Sequence, residues 1–238
     1  MGRKFIVGDV HGCADELLWL IDLMDLQPDD EVIMVGDLVD RGPDSSRVLQ
    51  ILRILGSKLP VFLVRGNHEQ KHVNGRLDGD EDAQEVSRTL SGVDRDQIST
   101  SKLYRKLPAH NALVVHGGIP RGLQVLPDSY DELRRLESRD RKRVAQVMYT
   151  VRVESDGVEM MWPWAYDGRF GHVYFGHRAT RVDEPVEYAH ATGIDLGCVY
   201  GGSLCCAVLE LGRPARFLKV KANRRYAALR EERACRIG

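Results

Sequence analysis

The first seventy residues repeat one arrangement of hydrophobic and polar positions three times. Short apolar runs, at residues 4–8, 32–36 and 61–65, are each followed by a polar turn that contains glycine. After the first two turns, apolar residues recur every three or four positions, which is the spacing of one helix face. Strands that alternate with helices in this way build a sheet of parallel neighbours. The pattern therefore predicts βαβ units around a largely parallel central sheet, which is an α/β fold.

The segment at residues 71–108 differs in character, because it is polar, charged and interrupted by residue pairs that favour turns, such as Asn74-Gly75 and Asp78-Gly79. We predict a helical insertion here that lies over the edge of the sheet. Beyond it, residues 128–149 have a helical pattern. Further strands are predicted from apolar runs at residues 112–116, 173–177, 193–196, 203–209 and 216–220.

The chain has no internal repeat and no low-complexity linker, so we predict one domain at residues 1–220. The remaining segment, residues 221–238, is rich in Ala, Arg and Glu, and we predict a solvated helical tail.

Charge and hydropathy exclude several classes of protein. Lys and Arg number 34 against 35 Asp and Glu, which argues against a dedicated nucleic-acid or polybasic membrane binder. No run approaches the about 20 apolar residues that a bilayer span requires. The opening residues enter an apolar run directly and offer no signal peptide. Five cysteines without zinc-knuckle or paired spacing are typical of reduced thiols, so we expect a cytoplasmic protein.

Polar clusters follow the predicted strands at the edge where open α/β sheets build their sites. The clusters contain Asp9 and His11, Asp37 and Asp40, and Asn67 and His68, and later strands are followed by His116 and His177. Asp9 and His11 are two residues apart and point the same way on extended backbone, so both can reach one ion. Aspartate, histidine and an Asn carbonyl together suit Mn²⁺ or Fe²⁺. A bridging carboxylate would hold two such ions about 3.5–4 Å apart.

Each of these residues taken alone is a weak signal. A single Asp after a strand is usually a helix cap, which is our interpretation of Asp15 and Asp44. A single histidine is usually a satisfied surface or core residue, and this interpretation applies to His72, His110, His172 and His190. What favours a metal site is the joint occurrence of candidate ligands at five successive strand ends.

The polar clusters form a known signature. The runs GDVHG at residues 8–12, GDLVDRG at 36–42 and GNHE at 66–69 resemble the three-part motif of the phosphoprotein phosphatase (PPP) family of calcineurin-like metallophosphoesterases. His116-Gly117-Gly118 and Gly176-His177 resemble its two later ligand histidines. The resemblance covers roughly residues 3–210 and implies a sandwich of mixed β-sheets flanked by helices.

The resemblance also implies roles for individual residues. Asp9, His11 and Asp37 would hold the first of two divalent ions, and Asn67, His116 and His177 the second, with Asp37 as the bridge. Mn²⁺ is the expected ion, with Fe²⁺, Co²⁺ or Zn²⁺ as alternatives. A hydroxide held between the ions would attack phosphorus, Arg41 and Arg65 would bind the phosphoryl oxygens, and His68 would protonate the leaving oxygen, oriented by Asp40. Glu69 would be a structural partner for a basic group.

The substrate is less clearly indicated than the chemistry. Residues 164–169, 173–177 and 194–202 resemble bacterial diadenosine tetraphosphatase-like enzymes, although their GHT appears here as Gly176-His177-Arg178. Asp40 and Glu69, in contrast, resemble the small phage-type protein phosphatases. We predict hydrolysis of dinucleoside polyphosphates, with protein serine/threonine or tyrosine phosphatase activity as the alternative. A nucleotide or phosphoprotein substrate, no nucleic-acid or membrane partner, and a monomer or small homo-oligomer are expected.

Aromatic and basic residues near His177 are candidates for substrate contacts. Trp162, Trp164, Tyr166 and Phe170 could stack on a nucleobase or pack beneath the strand that leads to His177. We take Tyr166 and Arg169 as candidate substrate-binding residues, together with Arg41 and Arg65.

Overall fold

The computed structural model describes residues 2–155, 157–180 and 182–228. Its strands are β1 Lys4–Val7, β2 Glu31–Met34, β3 Val61–Leu63, β4 Tyr104–Leu107, β5 Ala112–Val115, β6 Arg152–Ser155, β7 Val158–Met161, β8 His172–Phe175, β9 Val186–Glu187, β10 Ala191–Gly193, β11 Ser203–Leu209 and β12 Arg216–Lys221. Its α-helices are α1 Ala14–Met24, α2 Ser45–Gly56, α3 Asn67–Asn74, α4 Glu81–Thr89, α5 Gly92–Thr100, α6 Tyr130–Arg135, α7 Ser138–Ala145 and α8 Trp162–Ala165. Single 3₁₀ turns lie at Pro108–His110, Gln146–Met148 and Cys198–Tyr200.

Two five-stranded sheets form the body of the protein. The first has the order β12-β11-β1-β2-β3, in which β1, β2 and β3 run parallel and β11 and β12 are antiparallel to their neighbours. The second has the order β4-β5-β8-β10-β9, with β5, β8 and β10 parallel between antiparallel edges. The predicted α/β fold with mixed sheets is confirmed.

The sheets pack face to face and helices cover the outside. Alternate residues of β1 show this division, since Phe5 and Val7 pack with α1 and α2 whereas Ile6 lies in the core between the sheets. A third buried cluster, around Trp162, covers the outer face of the second sheet. This arrangement places the carboxyl ends of the parallel strands from both sheets at one edge of the sandwich.

The segment predicted as a helical insertion, residues 71–108, contains two helices and one strand. Helices α4 and α5 lie within it, and α5 packs against α2 and α3. Its last part is not helical, because Tyr104–Leu107 forms β4 and pairs antiparallel with β5. Lys102 extends the edge of the first sheet through a parallel bridge to Val64. This part of the insertion therefore lies along the β3 edge of the first sheet.

Other boundaries differ from the prediction. Residues 128–149 are helical but broken between α6 and α7, and the β6–β7 hairpin that follows was not predicted. Asp44 caps α2, whereas Asp15 lies in the first turn of α1 behind Cys13. Residues 222–228 are irregular rather than helical; the rest of the predicted tail lies outside the described residues, as does Cys235. Within the described ranges, no helix is long and apolar enough to cross a bilayer.

Candidate metal centre and active site

The candidate ligands meet because they follow strands that end at the same edge. Asp9 and His11 follow β1, Asp37 follows β2, and Asn67 opens α3 directly after β3 and its turn. The second sheet supplies His116 after β5 and His177 after β8. The carboxyl ends of the parallel strands in the two packed sheets lie at the same edge. Residues far apart in sequence therefore become neighbours, such as Asp9 and the His177 N–H, which are 168 positions apart and in contact.

One group of ligand atoms surrounds His116. Its Nε2 lies 3.1 Å from Asn67 Oδ1, 3.1 Å from His177 Nδ1 and 3.3 Å from Asp37 Oδ1. Its Nδ1 lies 3.0 Å from the Val35 carbonyl, and a proton donated there leaves the Nε2 lone pair facing the other ligands. Burial opposes protonation, yet Asp37 and Asp9 raise the pKa of His116 to about 9. The carboxylates of Asp37 and Asp9 therefore create a negative electrostatic potential around His116, which favours binding of a cation.

A second group of ligand atoms lies on the other side of Asp37. His11 Nε2 lies 3.5 Å from Asp37 Oδ2, while its Nδ1 faces the Val39 carbonyl at 2.9 Å. Asp9, in contrast, contacts a residue of the first group, since both of its carboxylate oxygens accept hydrogen bonds from the His177 N–H. Burial, reinforced by Asp195, raises the pKa of Asp9 well above its usual value, because His116 and the His177 N–H do not offset these effects within the described part of the chain. A divalent ion would supply a positive partner for this carboxyl.

Asp37 joins the two groups. Its Oδ1 faces His116 and its Oδ2 faces His11, so one carboxylate touches both sets of ligand atoms. Burial works against ionisation, but His116, His68 and His11 hold the pKa of Asp37 well below its usual range. Buried lone pairs converge here from two sides, and the donor set is carboxylate, imidazole and amide oxygen. The residues therefore fit two divalent ions bridged by Asp37.

Glycines before the ligands allow this close approach. A Cβ on Gly176 would overlap Asp9 Oδ1, and a Cβ on Gly66 would overlap Asp37 Oδ1. Among the described residues, seven non-glycine residues have positive φ, and five of them belong to the site. These five are His11 (45°), Asp37 (49°), Asp40 (69°), Arg41 (70°) and His177 (69°). The site is thus built on strained backbone that the surrounding packing holds in place.

Glu69 holds the Asp37 loop in position. Its buried carboxylate accepts hydrogen bonds from the backbone N–H groups of Asp37 at 2.8 Å, Leu38 at 2.7 Å and Gly66 at 2.9 Å. The predicted structural role of Glu69 is therefore seen in the structure, but its partners are backbone amides rather than a basic side chain. By joining the turns after β2 and β3, Glu69 fixes the distance between Asp37 and Asn67.

His68 and Asp40 form a buried pair beside the metal ligands. His68 Nδ1 lies 2.6 Å from Asp40 Oδ2, and the opposite ring nitrogen, Nε2, is buried and has no hydrogen-bond partner among the described residues. That nitrogen is 3.9 Å from Asp37 Oδ2. Burial opposes ionisation of Asp40, but hydrogen bonds from His68 and His72 lower its pKa below the usual value. The dyad presents a ring nitrogen toward the centre, where it can hold or deliver a proton.

Arg41 lies at the rim of the centre. Its Nη1 is 2.8 Å from His11 Nε2, and its guanidinium carbon lies 5.7 Å from the centre of the Tyr200 ring. The backbone N–H of Arg41 donates to Asp82 of α4, so the insertion helps to hold the turn. A partly buried guanidinium next to the ligands is suited to binding phosphoryl oxygens through two parallel hydrogen bonds.

Replacing Arg41 by alanine is expected to lower turnover by about 10²–10³-fold on every phosphate substrate, the scale for removal of one preorganised donor. The loss should be general because Arg41 is positioned to touch the transferred group and not the leaving group. Arg41→Lys should recover only part of the rate, since a point charge does not reproduce a planar fork. Measurement of kcat for p-nitrophenyl phosphate and a nucleotide substrate checks this. A lysine variant as active as the parent would contradict the assignment.

Arg65 and Arg169, two of the predicted substrate-binding residues, make their contacts away from the ligand cluster. The Arg65 guanidinium binds Ser101 Oγ and the carbonyls of Ser99 and Ser101, which ties the insertion to β3. Arg169 is exposed and forms an ion pair with Asp167 at 2.7 Å. The structure therefore gives neither arginine a contact with the ligand cluster in the part of the chain that it describes.

Tyr166 is a packing residue in the structure. It is buried against Trp162, its hydroxyl donates to the Gly171 carbonyl, and the same oxygen accepts the Phe170 N–H. The packing alternative therefore holds for Tyr166 and Trp162, whereas Trp164 is 71% exposed. Only Arg41, of the four candidate substrate-binding residues, is brought to the centre.

One contact at the site was not anticipated from the sequence. His72, which the sequence favours as an ordinary satisfied histidine, has its Nε2 2.7 Å from Asp40 Oδ1 and a side chain that is 2% exposed. The signal that could have found it is its position four residues after His68, which places both rings on one face of α3. Asp40 thus has a histidine on each oxygen.

Stacked mixed sheets whose strand ends collect histidine, carboxylate and amide ligands define a metallophosphoesterase. Residues 3–203 match the family model described as calcineurin-like phosphoesterase, and the chain belongs to this family. It is therefore a metal-dependent hydrolase.

Individual relatives and solved structures show which members of this family the chain resembles. The asymmetrical bis(5'-nucleosyl)-tetraphosphatase PrpE of Halalkalibacterium halodurans is 31% identical over 225 residues, covering 84% of this chain and 87% of that protein. The symmetrical bis(5'-nucleosyl)-tetraphosphatase of Psychromonas ingrahamii is 35% identical over 122 residues, covering 48% of this chain and 44% of that protein. A crystal structure assigned provisionally as a diadenosine tetraphosphatase has a TM-score of 0.72 and 28% identity, with 93% and 94% of the two chains covered.

Proposed function

We propose that this protein hydrolyses dinucleoside polyphosphates such as diadenosine tetraphosphate, and that it cleaves them asymmetrically. The observation that carries the reaction type is Asp37, whose two oxygens face two separate sets of ligand atoms. The substrate choice is supported by the comparisons, because likeness to asymmetrical enzymes extends over most of the chain whereas the symmetrical enzyme aligns with about half of it. The intact Asp40 and Glu69 also differ from the GDLVARGP and GNHD runs of the best-known symmetrical enzymes.

The protein's own residues divide the chemistry among them. Asp9, His11 and Asp37 would hold one divalent ion, and Asp37, Asn67, His116 and His177 the other. When bound, such ions lower the pKa of water and neutralise charge on phosphoryl oxygens. Arg41 binds the transferred phosphoryl group from the rim and strengthens its bonds as negative charge develops. His68 holds a proton at Nε2 for the leaving oxygen, while Asp40 holds the opposite nitrogen.

We propose Mn²⁺ as the ion in both positions. Imidazole ligands favour transition metals over Ca²⁺, which prefers an all-oxygen cage. Carboxylate and amide oxygens in the same set favour Mn²⁺ over softer ions.

A protein phosphatase is the second candidate, and one observation favours it. The 2.6 Å contact between His68 and Asp40 forms a preorganised acid, which helps most when the leaving group is a poorly stabilised serine or threonine alkoxide. A nucleotide phosphate leaves with less assistance. A protein phosphatase reaction would use the same metal centre and the same Arg41.

Product analysis tests the proposal and its alternative together. The protein is incubated with Mn²⁺ and diadenosine tetraphosphate, and in parallel with a phosphoserine peptide, and the products are separated by chromatography. We expect ATP and AMP in equal amounts, with the peptide cleaved more slowly. ADP as the sole product would overturn asymmetrical cleavage, and faster release of phosphate from the peptide would overturn the substrate choice. An Arg41→Ala preparation run alongside identifies any contaminating phosphatase.

A further inference from the structure

Asp40 lies between two histidines of the same helix. His68 and His72 are four residues apart on α3, so their rings project from one face and reach the same point. His68 Nδ1 lies 2.6 Å from Asp40 Oδ2, and His72 Nε2 lies 2.7 Å from Asp40 Oδ1. All three side chains are almost fully buried. Each carboxylate oxygen therefore has its own imidazole partner.

These contacts fix the plane of the Asp40 carboxylate. An ionised carboxylate only accepts hydrogen bonds, so both histidine nitrogens that face it must carry protons. The terminal torsion of an aspartate is soft, and one hydrogen bond alone leaves the second oxygen free to rotate. The His72 bond removes that freedom, and the Asp40 N–H, which donates to Ser45 Oγ at 3.0 Å, holds the backbone.

Packing alone does not explain a histidine at this position. The second ring nitrogen of His72, Nδ1, is buried and has no hydrogen-bond partner in the described part of the chain. An unpartnered buried polar atom is destabilising, and an apolar side chain of similar size would not incur that cost. His72 is also separate from the two ligand groups around Asp37, since neither group includes it among the described residues.

We propose that His72 is a positioning residue, which locks the Asp40 carboxylate so that Asp40 in turn holds the His68 ring with Nε2 directed at the leaving oxygen. This inference rests on the proposed role of His68 as the proton donor. His72 makes no contact with the ligand atoms, so its effect should appear only in steps that need the proton from His68.

Two substitutions of His72 separate positioning from packing. His72→Leu fills the space without a donor, whereas His72→Gln keeps an N–H that can reach Asp40 Oδ1. The probes are p-nitrophenyl phosphate, whose leaving anion is stable, and phenyl phosphate, whose leaving phenol resembles a tyrosine side chain with a pKa of about 10. We expect His72→Leu to lower kcat on phenyl phosphate about 10-fold, the lower end of the scale for groups that orient an active-site ligand. The loss on p-nitrophenyl phosphate should be under about 2-fold, and His72→Gln should restore most of the phenyl phosphate rate.

A double-mutant cycle shows whether His72 acts through His68. In a His68→Asn background, His72→Leu should cause no further loss on phenyl phosphate, because the group that it positions is absent. His172→Leu is a matched control, since that histidine is half-buried and bonded to Thr192 Oγ1 in β10, outside the site. Equal losses on both aryl phosphates, failure of glutamine to restore the rate, or additive losses in the double variant would each overturn the inference. A parent protein that hydrolyses neither diadenosine tetraphosphate nor the two aryl phosphates would instead refute the proposed function.

Discussion

The Asp37→Asn variant is expected to lose both metal ions and its phosphoesterase activity together. The substitution keeps the shape of the side chain but removes the charge that faces His11 on one side and His116 on the other. Because an amide has only one oxygen to offer, it can serve at most one ion, and the activity should fall by several orders of magnitude. Metal content by mass spectrometry and kcat on p-nitrophenyl phosphate with added Mn²⁺ measure the two effects.

Two controls accompany the Asp37 experiment. Asp15→Asn alters an exposed carboxylate that pairs with Arg47, and it should leave metal content and turnover unchanged. Dialysis of the parent against a chelator should abolish hydrolysis, and Mn²⁺ should restore it better than Ca²⁺. An Asp37→Asn protein that keeps full activity in chelator would refute the bridged pair of ions.

The His68→Asn variant is expected to lose activity in proportion to how much each leaving group needs a proton. General acid catalysis contributes about 10²–10⁴-fold, and the full effect should appear with phenyl phosphate or a phosphoserine peptide. The effect should be smallest with p-nitrophenyl phosphate and modest with diadenosine tetraphosphate, which expels a nucleotide phosphate. Values of kcat/KM for the series, read as losses of transition-state stabilisation, give the measurement.

Asp40→Asn is the companion variant for His68. It weakens the hydrogen bond to His68 Nδ1 without removing the ring. The activity losses should therefore follow the same order of substrates but be smaller. Losses of equal size on all substrates would show that His68 positions the substrate or orders the site and does not donate the proton.

The convergence of the candidate ligands could be predicted from the sequence because those residues occupy fixed places after strands. Asp9, Asp37 and His116 each follow a buried apolar run, so their convergence requires only that the strands be parallel. The roles of Arg65 and Tyr166 could not be judged in this way. Whether an arginine or a tyrosine faces a substrate or the protein depends on carbonyls that come from Ser99, Ser101 and Gly171, and no local pattern shows those contacts.

Short and exposed strands were the least predictable part of the fold. In β6 and β7 no residue is fully buried, so these strands lack the apolar run by which the central strands were recognised. Strand β4 ends a polar segment, and its identity depends on pairing with β5 across a 3₁₀ turn. The His72–Asp40 contact was missed for a related reason, since it joins residues 32 positions apart.

The left-handed backbone of the site has a consequence for the evolution of this chain. A non-glycine residue in that conformation costs about 1–2 kcal/mol, and five such residues lie in the site. Their sum is comparable to the net stability of a typical domain, about 5–15 kcal/mol. Glycine would relieve the strain at any of the five positions, but it would also remove a carboxylate, an imidazole or a guanidinium. Substitutions that raise thermostability are therefore expected in the surrounding sheets and helices and not at these five positions.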